Sequence, residues 1–184
     1  MLLTHTFAEG AEIKLLQPQD TEDLFALIEL NRSYLRRWLP AWDVQNTLED
    51  CRTVIKNSLE RLAANCGSTL GIWYQGHLAG VIGAGGIDWE NRCAVIGYWL
   101  GESFQGKGLM TGACRTLVDY LFFELNLHRI EIRCAVGNER SCAVPKRLGF
   151  TKEGILRQAQ AFDDQYFDLE VYGLLAEDWI RATE

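Results

Sequence analysis

The residues best placed to do chemistry are Gln105, Gly106, Lys107, Gly108, Leu109, Met110 and Thr111. They follow an apolar run at 95–100 that reads as a buried strand and lead into 113–123, which reads as a helix. A glycine-bearing turn between strand and helix leaves the first helical N–H groups without intrahelical acceptors, and the helix dipole adds partial positive charge there. Such a turn binds anions, most naturally phosphate. ATP, a dinucleotide and coenzyme A all carry that group. Lys107 lies between the glycines and no Lys-Ser/Thr pair follows, so ATP use is unsupported. Another glycine-rich run, 80–86, superficially resembles a dinucleotide fingerprint. Residues 87–92 turn into a further strand instead of opening the helix that the fingerprint needs, which rejects it.

A second constellation is Asn138 with Ser141, followed by Leu148, Gly149 and Phe150. Asn and Ser three residues apart at a helix start are capping groups in their own right. Behind the glycine turn they become candidates for ligand contact as well. His5, His77 and His128 are scattered and suggest neither a metal site nor a triad. Cysteines 51, 66, 93, 114, 134 and 142 show no C-x-x-C and no metal-ligand spacing.

The elements that must hold these residues are legible in outline. Residues 11–16 alternate as a strand closed by Pro18. Asp20 can cap a helix carrying Leu24, Leu27, Ile28 and Leu35. Trp38 and Trp42 flank Pro40 in an expected loop, and Thr47-x-x-Asp50 reads as a capping box for a second helix. Strands are expected at 69–74, 78–87, 93–100, 130–136, 154–161 and 166–174, with a helix at 138–148 and a last helical turn through Trp179. The order βααβββαβαββ is an α/β arrangement with one mixed sheet and helices on its faces, not a doubly wound alternation.

Composition bounds the function. A chain of 184 residues, 48% hydrophobic, fits one ordered domain over 1–184 with a real core. Eighteen Lys and Arg against 25 Asp and Glu give a net charge of −7, and the pI is about 5.0. That balance argues against nucleic acid or anionic membrane as partner and tolerates a cationic amine. The start lacks the charged and apolar segments of a signal peptide, and no run reaches the roughly 18 apolar residues of a membrane span. Free thiols and a cytoplasmic location are the expectation.

Taken together, 96–100, 104–108 and Asn138-x-x-Ser141 through Phe150 resemble the GNAT family of N-acetyltransferases. The likeness is strongest to its Rim-type branch, which acetylates N-termini of ribosomal proteins. The resemblance runs over nearly the whole chain. It implies a mostly antiparallel sheet with one splayed parallel strand pair, helices on both faces, and acetyl-CoA as donor without a metal. The turn amides from Gln105 to Thr111 would hold the pyrophosphate. Trp99, Leu100 and Gly101 would end the splayed strand along which the pantetheine pairs. Asn138 would hydrogen-bond that arm and Ser141 would assist the leaving thiolate. Met110 stands where many members have Gly or Ala and contributes the same N–H.

The implied acceptor is a primary amine, foremost the α-amine of a protein. A small amine, or a CoA-binding role without catalysis, are the alternatives. Direct attack needs a base, and Asp88 and Glu102 are the leading candidates. Related Rim-type enzymes often carry a Glu where Gln160 stands, and an amide cannot deprotonate an amine. Trp38, Trp42 and Gln160 would border the acceptor, and Asp163, Asp164 and Asp168 could give its cleft negative charge. The resemblance also implies a homodimer.

Overall fold

Alternating side chains along the strands sort the apolar residues into two cores, one on each face of a sheet. Ile72 and Ile82 enter the first core, whereas their chain neighbours Trp73 and Val81 enter the second. The computed structural model describes residues 4–39, 46–162 and 165–183. The strands are β1 (Thr4–Ala8), β2 (Ala11–Leu15), β3 (Gly67–Tyr74), β4 (His77–Asp88), β5 (Cys93–Leu100), β6 (Arg129–Ala135), β7 (Thr151–Phe162) and β8 (Gln165–Leu175). They form one sheet in the order β1-β2-β3-β4-β5-β6-β8-β7. Among the described residues β5 and β6 run parallel and the other neighbours antiparallel.

Helices α1 (Thr21–Trp38) and α2 (Leu48–Ala63) cover one face. Leu24, Leu27, Ile28, Asn31 and Leu35 form the buried stripe of α1 at helical spacing. The capping box of α2 is formed: Asp50 N–H donates to Thr47 Oγ1 at 3.1 Å and Thr47 N–H to Asp50 Oδ2 at 2.9 Å. Helix α3 (Leu109–Asp119) packs its Leu109, Ala113, Leu117 and Val118 into the other core. Helix α4 (Glu139–Arg147) follows β6, and α5 (Ala176–Thr183) closes the chain.

The structure departs from the sequence expectations in particulars. Strand β1 was not foreseen, because its residues are mostly exposed and carry no apolar alternation. Asp20 does not cap α1 with its side chain; its carboxylate accepts the Gln17 N–H at 2.8 Å and closes a short 3-10 turn at Pro18–Asp20. Trp38 is the last residue of α1, not a loop residue. Helix α3 runs on into one wider π turn, Tyr120–Glu124, and the final turn is an eight-residue helix. Pro40, Trp42, Asp163 and Asp164 lie outside the described residues.

One feature of the sheet prepares the site. The pairing of β5 with β6 covers Cys93 to Ile96 against Arg129 to Ile132 and stops. Strand β5 continues to Leu100, while β6 stays with β8 through Ala135 opposite Leu169. Beyond Ile96 the two strands diverge, and among the described residues no strand pairs with the β6-facing edge of β5 there.

Candidate functional site

A cleft of about 920 Å³ opens where the strands part. Tyr98, Trp99 and Leu100 of β5 line it, as do Gln105, Gly106, Gly108 and the first turn of α3. Gly108 is the N-cap of α3 at φ +76 and offers no side-chain cap. Gly106 has φ +75. Both conformations belong to the left-handed region that glycine adopts without strain. A Cβ on either glycine would meet nothing within 4 Å, so both backbones can be approached closely by a ligand. The first bond of the helix ladder runs from Gly112 N–H to the Gly108 carbonyl at 3.0 Å. The earlier amides of Leu109, Met110 and Thr111 are the ones a helix start leaves without intrahelical acceptors.

Three guanidinium groups join those amides. Arg115, Arg140 and Arg147 line the cleft. Arg140 donates to the Gln105 side chain, and Arg147 Nη1 donates to Thr111 Oγ1 at 3.1 Å. These arginines were missed from sequence, yet a signal existed: Arg140, Val144 and Arg147 stand at i, i+4 and i+7, one face of a helix. A helix start plus arginines fits a polyanion such as a pyrophosphate, and the stretch of β5 beyond its pairing with β6 fits an extended chain carrying amides.

The opposite wall comes from α1, through Tyr34, Leu35 and Trp38, with Leu39 just beyond it. The Arg37 guanidinium lies 5.0 Å from the Trp38 ring centroid. Glu102 stands at the rim with an exposed side chain. Its backbone N–H donates to Oδ1 of the buried Asn31 at 2.8 Å, while Asn31 Nδ2 donates to the Leu27 carbonyl at 2.8 Å.

Ser141 is held through each of its polar groups. Its N–H donates to Asn138 Oδ1 at 3.2 Å, its carbonyl accepts Tyr98 Oη at 2.9 Å, and its hydroxyl lies 3.3 Å from Cys134 Sγ as donor. Burial pushes the Cys134 thiol up to about 12 and raises the Tyr98 hydroxyl well above its ordinary value. Burial also raises Cys114 and Cys142. Near neutral pH these groups keep their protons, so none of them is an ionised nucleophile.

The remaining sequence candidates are not all brought together. Gly101 is a packing position: a Cβ there would meet Leu27, Asn31 and Phe104 at 3.1–3.2 Å. Lys107 is exposed and is not part of the cleft lining. Asp88 is not part of the cleft lining. It lies opposite Cys93, at the start of β5, about 23 Å along the strand from Leu100 at about 3.3 Å per residue. Its carboxylate accepts the Asn91 side chain at 2.8 Å and the Asn91 N–H at 2.9 Å, bonds that hold its pKa below the usual range. Asp88 therefore stabilises a turn. Gln160 pairs with Phe167 in the β7–β8 hairpin, away from the cleft lining. Asp168 accepts the Gln158 N–H at 2.8 Å, across an irregularity in the same hairpin.

Comparison with known proteins agrees with this geometry. Residues 12–151 match the family model described as the acetyltransferase (GNAT) domain. The chain is 41% identical over 172 residues to YdaF of Bacillus subtilis (strain 168), named as a candidate ribosomal N-acetyltransferase, covering 93% of this chain and 94% of YdaF. It is 30% identical over 177 residues to the ribosomal-protein-serine acetyltransferase of Escherichia coli (strain K12), covering 96% and 99%. The solved structure of RimL, a ribosomal L7/L12 α-N-protein acetyltransferase in complex with coenzyme A, matches with a TM-score of 0.90 at 27% identity, covering 94% of this chain and 97% of that one. The family match runs from β2 to the first residue of β7 and takes in every element that borders the cleft. This chain belongs to the GNAT family and is an acetyltransferase.

Proposed function

We propose that the protein transfers an acetyl group from acetyl-CoA to the α-amine of a protein N-terminus, with ribosomal proteins as the expected acceptors. The observation that carries the donor half is the start of α3, without a side-chain cap, beside the point where β5 parts from β6. Gln105 to Thr111 with Arg140 and Arg147 would hold the pyrophosphate, and Asn138 with Trp99 and Leu100 would flank the pantetheine. Acetyl-CoA supplies the activated acetyl thioester. The acceptor half rests on the relatives, which are named for ribosomal proteins.

The chain's own groups divide the remaining work. Tyr34, Trp38 and Leu39 form an apolar wall that positions the acceptor and excludes water. A free α-amine has a pKa of about 7.7–8.0, so an appreciable neutral fraction is present near neutral pH and a modest base suffices. Glu102 takes up the proton that the amine nitrogen loses, directly or through water. Ser141 assists the departing sulfur through its Oγ–H, as hydrogen-bond donor or as acid, and the proton lost by the amine makes up the balance, so that amine and thioester give amide and thiol. The protein works as a homodimer in this reading, and exposed Ile155, Leu156 and Tyr166 on the outer hairpin supply apolar surface for it.

The test is thiol release from acetyl-CoA with a panel of acceptors. Turnover with peptides bearing a free Ser or Ala N-terminus, and none with the same peptides blocked, supports the reading. Turnover confined to polyamines or other small amines overturns the acceptor assignment. Tight acetyl-CoA binding without turnover on any acceptor overturns catalysis.

A further inference from the structure

The Ser141 carbonyl belongs to the first turn of α4, yet its regular helical donor is missing. Along an α-helix a carbonyl accepts the N–H four residues on. Here that residue is Pro145, which has no N–H and whose ring crowds the carbonyl four residues back. A proline in a helix interior costs about 3 kcal/mol relative to alanine, so it persists where the surroundings compensate. The compensation comes from another element. Tyr98 Oη donates to the Ser141 carbonyl at 2.9 Å, and Tyr98 stands on β5 beyond its last pairing with β6. The bond therefore ties the splayed strand to α4 at the point where the sheet has come apart.

We propose that Pro145 and Tyr98 form a positioning pair for Ser141. Pro145 releases the carbonyl from the helix ladder and Tyr98 captures it. With the N–H held by Asn138, both peptide groups flanking the Ser141 Cα are fixed, and so is the direction of its side chain. Tyr98 is a positioning residue, because its hydroxyl proton is committed to a backbone carbonyl. The kinetic consequence rests on the proposed role of Ser141 at the sulfur; the structural pairing does not.

Four variants separate the two parts: Tyr98→Phe, Pro145→Ala, the double variant, and Tyr98→Phe in a Ser141→Ala background. Tyr98→Phe leaves the carbonyl without a donor and is expected to lower Tm by about 2–8 °C. Pro145→Ala restores a helical N–H, so the double variant should recover at least half of that loss. A tyrosine that merely fills space would show additive Tm changes, and additivity overturns the pair. In steady-state kinetics Tyr98→Phe should lower kcat about tenfold, with the acceptor KM changed less than twofold. It should have no further effect once Ser141 is alanine. A Tyr98→Phe enzyme with kcat within twofold of the parent overturns the positioning role. If the parent shows no acetyl-CoA turnover, the proposed function fails, while the Tm cycle still decides the pairing.

Discussion

Asn31 on α1 and Glu102, which opens the short 3-10 turn after β5, are joined by a 2.8 Å bond from the Glu102 N–H to the Asn31 amide oxygen, across 71 residues of sequence. The bond fixes α1 to the segment that leads into the glycine turn. Asn31→Ala strands that N–H in a part-buried setting and is expected to cost about 1–3 kcal/mol. Urea unfolding reads the loss, and kcat/KM for the acceptor should fall alongside it. Unchanged values in both measurements would remove Asn31 from the architecture of the site.

Gly108→Ala tests the turn. An alanine at φ +76 carries a left-handed penalty of about 1–2 kcal/mol, and its methyl group projects where a ligand would approach the backbone. Acetyl-CoA affinity by calorimetry should fall at least tenfold, which exceeds the change in stability read by denaturation. Retained affinity would place the anion elsewhere.

Glu102 and Asp88 should part company. Glu102→Gln is expected to lower kcat/KM by about a hundredfold or more, in the range of a lost general base. Asp88→Asn should leave kcat unchanged and show its effect in thermal stability alone, because its partner is Asn91 in a turn. An unchanged kcat/KM in Glu102→Gln would mean that the base is another group, and a loss of kcat in Asp88→Asn would return that role to Asp88.

Acid stability follows from the Arg129 cluster. Arg129 bridges Glu131 and Glu153, and Arg133 also bonds Glu131. Burial pushes the Glu131 carboxyl up, but hydrogen bonds from Arg129 and Arg133 outweigh it and leave the group below its ordinary 4.5. The Arg129 hydrogen bond likewise holds Glu153 down. A depressed folded pKa means that the unfolded chain binds the proton first, so this stability is present above about pH 4.5 and is lost as pH falls through the folded values. Glu131→Gln should cost about 1 kcal/mol at pH 7, given the partial exposure of the pairs, and flatten the decline below pH 4.5. An unaltered decline would assign acid sensitivity to other carboxylates.

Much of this architecture was written in local chemistry. The capping box at Thr47, the glycine turn and the Asn138 cap are short-range signals, and the structure forms each of them. Strand β1 escaped because it borrows its order from β2 and buries little of its own surface. Asp88 misled because a carboxylate at a strand end looks the same at either end; the pairing register decides which end meets the cleft. The Tyr98–Ser141 bond spans 43 residues and depends on how far the strands part, which no local pattern encodes. Pro145 was visible all along, but its meaning required knowing which side chain faces the carbonyl it frees.

The splay of β5 from β6 also bears on how the molecule holds together. Four residue pairs, continued by the Arg92 carbonyl accepting the His128 and Arg129 N–H groups, form the backbone seam between the β1–β5 half of the sheet and the β6–β8 part. An extended molecule bonded along the open edge would lengthen that seam, acting as a mortar course between two blocks. At a hundred times its dissociation constant, a ligand selective for the folded state adds about 2.7 kcal/mol. Here the gain should be concentrated in the amides on both sides of the gap, where slowed hydrogen exchange would register it. Cellular donor concentration would then govern the protein's lifetime as well as its turnover.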